Sequence, residues 1–182
     1  MRFDSPGKEN TEKTLALAHA RAKELGIREV VVASTSGETG LMALKVFEGF
    51  SVAVVTYHAG FRKPFETVMP AEARKELIAR GATVVQATHA LSGVERSFAK
   101  KFSGAYPVLV MAEVLRLFGQ GLKVAVEVSI MAADSGALSG ADIISIGGTA
   151  RGADCALVLK PANQSDVLDL KVREIICKPR EF

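Results

Sequence analysis

The chain of 182 residues has no tryptophan, two tyrosines and two cysteines, and aromatic residues make up only 6% of it. Each scarcity excludes something. With 48% of residues apolar and so few rings, the core must be packed mainly by aliphatic side chains. Cys155 and Cys177 stand in separate apolar stretches without a C-x-x-C spacing, so they read as buried free thiols rather than a disulfide or a metal site. No apolar run approaches the roughly 18 residues that cross a bilayer. The opening MRFDSPGKEN lacks the apolar centre of a secretory signal, so the cytoplasm is the expected compartment. Charge of one sign is missing too. Twenty-three basic against twenty acidic residues leave a net +3, and no basic stripe alternates with aromatic residues, so nucleic acid is not an expected partner. Lys100-Lys101 reads as a solvated helix face.

What is present is a regular alternation of strand-like and helix-like segments. That alternation predicts one domain over residues 1–182, a three-layer α/β/α sandwich whose sheet is mainly parallel. A helix is expected over Thr11–Leu25, with Leu15, Ala18, Ala22 and Leu25 on one face and Gly26 past its end. Strands are expected at Val30–Ala33, Val52–Thr56, Thr83–Gln86, Val124–Ile130 and Ile143–Ile146. Helices are expected at Thr39–Phe47, Ala71–Arg80 and Val108–Phe118, and another opening at Ser92 with Glu95 in a capping-box spacing. The tail, Cys155–Leu159 and Val172–Cys177, reads as an antiparallel pair at one edge.

In an open parallel sheet, ligands bind beyond the carboxyl ends of the strands. Here those ends are polar and the opposite ends are bland. The rim collects Ser34, Thr35, Ser36, Gly37 and Thr39 after the first strand, and Thr56, His58, Gly60 and Phe61 after the second. His89 and Ser92 follow the third, Asp134 the Val124–Ile130 segment, and Gly147, Gly148 and Thr149 the next. A hydroxyl-rich loop with glycine at a helix start offers free N–H groups and the positive end of the helix dipole, which suits phosphate. The same residues also read as a self-sufficient cap, Thr35 with Glu38, and both readings stand at this level. Neither G-x-x-x-x-G-K-[ST] nor G-x-G-x-x-G is present in the right context, which removes those nucleotide motifs.

His58 and His89 can meet across the rim as acid/base or ligand contacts, while His19 inside the first helix reads as structural or exposed. No third ligand at a familiar spacing supports a metal. Ser36, His58 and Asp134 spell a triad only on paper, because no nucleophile elbow accompanies them. Asp134 equally suits a ribose contact or a helix cap. The long Ala59–Met69 loop, with Phe61, Arg62, Lys63 and Phe65, reads as a lid or as a pinned surface loop.

The run ALAHARAKELGIREVVVASTSGETGLMALKVFEGFSVAVVTYH resembles the C-terminal α/β domain of pyruvate kinase. An alanine-rich helix, an apolar strand, a hydroxyl–Ser-Gly–x–Ser/Thr loop, a helix and another strand follow in the same order. Gly147-Gly148-Thr149 and Cys155–Leu159 look like that domain's last portion. The resemblance implies a stand-alone, archaeal-type version of the domain, whose members include binders of flavin mononucleotide. It implies that Ser34, Thr35, Ser36, Gly37 and Thr39 touch a ligand phosphate, and that pyruvate kinase turnover is absent without the catalytic barrel. Glu38 stands where some kinases carry a basic residue, which argues against a sugar bisphosphate. Three functions follow as alternatives. The chain is a binder of a phosphorylated small molecule such as flavin mononucleotide (FMN), or a flavin-dependent oxidoreductase or phosphate-ester hydrolase using His58 or His89. Otherwise it is a self-associating module, a homo-oligomer with a vestigial rim.

Overall fold

Three consecutive valines explain how the sheet is covered. In the strand β2 (Glu29–Ala33), Val30 and Val32 point to one face and Val31 to the other, and all three are wholly buried. A strand apolar on both sides needs a layer of helices on each. The computed structural model, which describes all 182 residues, supplies them. Val30 and Val32 join a core with Leu15, Ala18, Ala43 and Leu77 from the helices α1 (Thr11–Leu25), α2 (Glu38–Val46) and α3 (Ala71–Ala79), and with Phe47 at the C-cap of α2. Val31 joins a second core with Ala112 from the helix α5 (Pro107–Arg116) and Val126 and Ile130 from α6 (Gln120–Asp134).

The sheet has seven strands in the order β1-β7-β6-β5-β2-β3-β4. The strands β5 (Ile143–Gly147), β2, β3 (Ser51–Tyr57) and β4 (Thr83–Ala87) run parallel, and β6 (Cys155–Lys160) turns back antiparallel to β5. Beyond it lies β7 (Lys171–Pro179), antiparallel to β6, and the short β1 (Arg2–Phe3) adds parallel to β7. The α/β/α sandwich with a mainly parallel sheet and an antiparallel edge is therefore as the alternation predicts. Cys155 and Cys177 are buried free thiols in β6 and β7, and burial raises the pKa of both. No helix is long and apolar enough to cross a membrane.

Four expectations are corrected. Val124–Ile130 is not a strand but the middle of α6. Its V-A-V-E-V-S-I alternation imitates a half-buried strand, yet eleven of the helix's fifteen residues are buried because the sheet lies on one side and α5 on the other. A helix covered all round has no polar face for periodicity to reveal. Asp134 consequently closes a helix rather than a strand, and its carboxylate accepts from Asn163 Nδ2 and Gln164 N, both at 3.0 Å, away from the rim. The Ser92–Glu95 box does not form: α4 (Glu95–Phe102) begins after Val94, and the Glu95 carboxylate instead accepts from Val108 N of α5 at 3.0 Å. Leu25, the last residue of α1, faces solvent while Gly26 takes the left-handed conformation as expected.

Candidate functional site

The turn from β2 to α2 shapes one wall of the site. Gly37, not Thr35, is the N-cap of α2, with φ 95°, and no side chain caps the helix through the Thr35–Glu38 box. A Cβ on Gly37 would also stand 2.9 Å from Ala73 Cβ of α3, so glycine is required twice over. Ser34 does the capping work from further back. Its buried Oγ accepts from Gly40 N at 3.1 Å, and Thr56 Oγ1 donates to the Thr35 carbonyl at 3.1 Å. The N–H groups of residues 35–39 make no backbone–backbone hydrogen bond. Five consecutive free donors at a helix start form a concavity suited to an anion.

This wall opens on a cavity of about 870 Å³ outside the carboxyl ends of β2, β3, β4 and β5. Of the residues expected at the rim, Ser34, Thr35, Ser36, Thr39, Thr56, Phe61, His89 and Gly148 line it. Others support it from behind. His58 Nδ1 lies 3.2 Å from His89 Nδ1, and Gly60 N donates to Glu66 O at 2.9 Å to close the 59–66 loop. Ser92 is buried in the turn after β4, hydrogen-bonded through its N–H to His89 O. Gly147 serves packing: a Cβ there would collide with the Gly121 carbonyl of α6. Thr149 N donates to Asp154 Oδ2 at 3.1 Å, an oxygen that also receives Gly7 N at 3.2 Å. Asp134 lies apart, beside a separate small cavity of about 140 Å³. His19 is structural, edge-on to Phe47 and Phe50 at 5.4 and 5.6 Å.

The opposite wall is charged, and the sequence reading missed most of it. Lys123 and Glu127, one turn apart on α6, form an ion pair whose side chains are 5% and 3% exposed. The second Glu127 oxygen accepts from Leu91 N at 3.0 Å, so both oxygens are satisfied. Burial lowers the pKa of Lys123, opposed by Glu127. Arg96 of α4 lies 5.7 Å over the Phe61 ring, and Arg116 of α5 donates from Nε to Gln120 Oε1 at 2.8 Å. Six cationic and four acidic side chains line the whole cavity, an excess that favours an anionic occupant. Glu38 is among the four acids and works against an anion at the α2 end. The signal for the charged wall was present, since Lys123 and Glu127 are the only charges in an apolar run and stand at i, i+4.

The histidines stand between the walls. Burial pushes His89 down to about 4, with Lys123, His58 and Arg96 adding to the effect and Glu127 opposing it. It is therefore neutral at pH 7, and the short Nδ1–Nδ1 contact makes one ring the donor and the other the acceptor. Phe61 stacks on His89 with centroids 4.7 Å apart and an interplanar angle of 23°, and Tyr57 meets Phe61 at 4.2 Å. The cavity thus combines a wall of free N–H donors, a wall of charged side chains and an aromatic step.

The family model described as the pyruvate kinase alpha/beta domain matches residues 12–159. The chain belongs to that family. The match runs from α1 to the end of β6, so every strand end around the cavity falls within the pyruvate kinase-type portion. β1, β7 and the whole 3₁₀ turn Lys8–Asn10, with Lys8 and Glu9 on the cavity, lie outside the match. The antiparallel edge is thus completed by chain beyond the matched residues.

Proposed function

We propose that this pyruvate kinase-type domain binds a phosphorylated small molecule in the cavity at its strand ends, with the phosphate on the Ser34–Thr39 loop. The observation that carries the reading is the run of five free N–H groups at the start of α2, opening into a cavity of about 870 Å³. A volume of that order is typical of sites for cofactor-sized ligands, roughly 300–1,000 Å³. Flavin mononucleotide is the ligand of choice for a first trial. Its phosphate suits the loop, and its planar rings suit the step formed by Tyr57, Phe61 and His89. Pyruvate kinase turnover is not expected of these 182 residues, all of which are used in the α/β fold.

Ser36→Asp tests the reading. The substitution removes a hydroxyl donor and sets a carboxylate against an anionic ligand. A hydrogen bond to a charged group contributes roughly 1.5–3 kcal/mol, so affinity for flavin mononucleotide should fall by at least about tenfold in calorimetric titration. An aspartate beside a helix start is neutral or mildly stabilising, so the melting temperature should hold. Unchanged affinity in the variant, with wild-type binding measured, would place the phosphate elsewhere.

The neutral His89, in contact with His58, favours a second reading in which the occupant is a substrate and the protein an oxidoreductase or a phosphate-ester hydrolase. Reduction of bound flavin by a nicotinamide donor, or phosphate release from a generic ester, lost in His89→Gln, distinguishes it from simple binding.

A further inference from the structure

Helix α4 is anomalous. Not one of its eight residues is buried, although an isolated helix of that length does not hold together in water. With the N-cap Val94, its apolar residues nevertheless form a stripe: Val94, Phe98 and Phe102 recur at every fourth position and are 76%, 52% and 63% exposed. The adjoining α5 repeats the pattern. Val108, Met111, Ala112 and Leu115 face the core, whereas Val110, Val114, Leu117 and Phe118 face solvent. Glu95 accepting from Val108 N and the contact of Phe98 with Tyr106, centroids 6.5 Å apart, tie the two helices into a hairpin. Seven of the fifteen exposed large apolar side chains of the chain thus fall between Val94 and Phe118.

We infer that the outer face of the α4–α5 hairpin is the surface on which a second copy of this chain docks. The seven side chains leave on the order of 700 Å² of apolar surface in water, more than an ordinary monomer shows in one patch. A stable interface buries about 800 Å² per partner, so the patch is nearly one side of a standard dimer without help from the rest of the molecule. A second copy also meets the need of α4 reciprocally, because a two-fold axis covers the same face on both chains. Four amphipathic helices then share one apolar seam, the arrangement that such stripes form in bundles. The seven apolar side chains carry no charge of their own, and the exposed Glu113 on α5 is already paired with Arg116 of the same helix.

The association has a consequence for the cavity. Arg96 and Arg116, both on the cavity wall, belong to these two helices, so covering their outer face holds that wall in place. Ligand affinity should rise with dimerisation. This consequence rests on the proposed ligand site, whereas the association does not.

Sedimentation velocity on the full chain from 1 to 100 µM, with no ligand, tests the proposal first. A dimer is expected, and Phe102→Glu and Leu117→Glu should each weaken it by at least about a hundredfold, with far-ultraviolet dichroism unchanged. Ile78→Glu, at an exposed apolar residue on α3, should leave it intact. Amide exchange in the unmutated protein supplies a reading that needs no variant: protection over residues 94–118 should fall on dilution. A monomer at 100 µM overturns the proposal, as does a dimer indifferent to both substitutions or protection indifferent to dilution. A monomer that floats with vesicles of anionic phospholipid also overturns it, and assigns the face to a membrane surface. Flavin mononucleotide titration of the monomeric variants then separates the two ideas, because loss of dimer with retained binding leaves only the proposed coupling refuted.

Discussion

The two walls of the cavity meet the same space with different chemistry. The β2–α2 wall uses mainly hydroxyls and main-chain N–H groups, with Glu38 its one charged side chain. The α6 wall uses long charged side chains taken out of water. A wall of N–H groups carries no formal charge to desolvate, and its donors stay satisfied by water in the open cavity until an acceptor replaces it. A buried lysine and glutamate are stable only as a pair, so the α6 wall depends on each partner's presence. Small changes should therefore cost little in the β2–α2 wall and much in the α6 wall.

The sharpest way to break it is Glu127→Ala. This strands Lys123 as a buried charge and leaves Leu91 N without its acceptor, a loss of about 3–5 kcal/mol. At about 2–4 °C per kcal/mol for a chain of this size, the melting temperature should fall by at least about 6 °C. The double change Lys123→Met with Glu127→Met should recover part of that drop, since no unpaired buried charge remains while Leu91 N still lacks its acceptor. Equal melting of the single and double variants would show that the pair is not the cause.

Gly147→Ala should come next. Its added methyl meets the Gly121 carbonyl and Ala125 N of α6, so the helix must shift outward at a cost of about 1–3 kcal/mol. Denaturant unfolding measures it directly, and a cost near zero would mean that α6 is free to move.

A pH dependence probes the ring between the walls. His89 has its folded pKa lowered from 6.5 to about 4, so the unfolded chain binds a proton that the folded one refuses. The stability it contributes is complete above about pH 6.5 and is lost as the pH falls towards 4. Allowing for partial solvent access, the loss is of the order of 1–2 kcal/mol. His89→Gln should flatten unfolding free energy over that interval, and an unchanged slope would assign the acid sensitivity to other groups.

The smallest effects belong to the β2–α2 wall. Ser34→Ala removes the acceptor of Gly40 N and should destabilise by about 1 kcal/mol. Thr35→Ala should change stability by less than about 0.5 kcal/mol, because Thr35 caps nothing. If Thr35→Ala proved the more damaging, the capping box would be real and the loop less free for a ligand.

The legibility of the site follows the same division. Ser34 to Thr39 was readable because a strand, a hydroxyl-rich turn and a helix follow one another within a dozen residues, where local chemistry decides. The use of each residue was less so. That Gly37 caps α2 while Ser34 reaches Gly40 depends on how closely α3 approaches at Ala73. Lys123 and Glu127 were hidden by the same effect that makes them notable: α6 is buried on all sides, so its apolar alternation resembled a strand. Asp134 was misplaced for that reason too, since its supposed strand end is a helix end.

The sequence by itself determined the order of elements, the parallel sheet with its antiparallel edge, and the polarity of the strand ends. Those are properties of runs of a few residues, set by periodicity, turn chemistry and strand burial. Only the tertiary structure decided which polar residues share a cavity. It set His89 against His58, placed Arg96 over Phe61, and buried Lys123 with Glu127 beneath a wall drawn from distant segments. Burial and long-range electrostatics depend on what is packed on the far side of an element, and that information is not carried by any short stretch of chain.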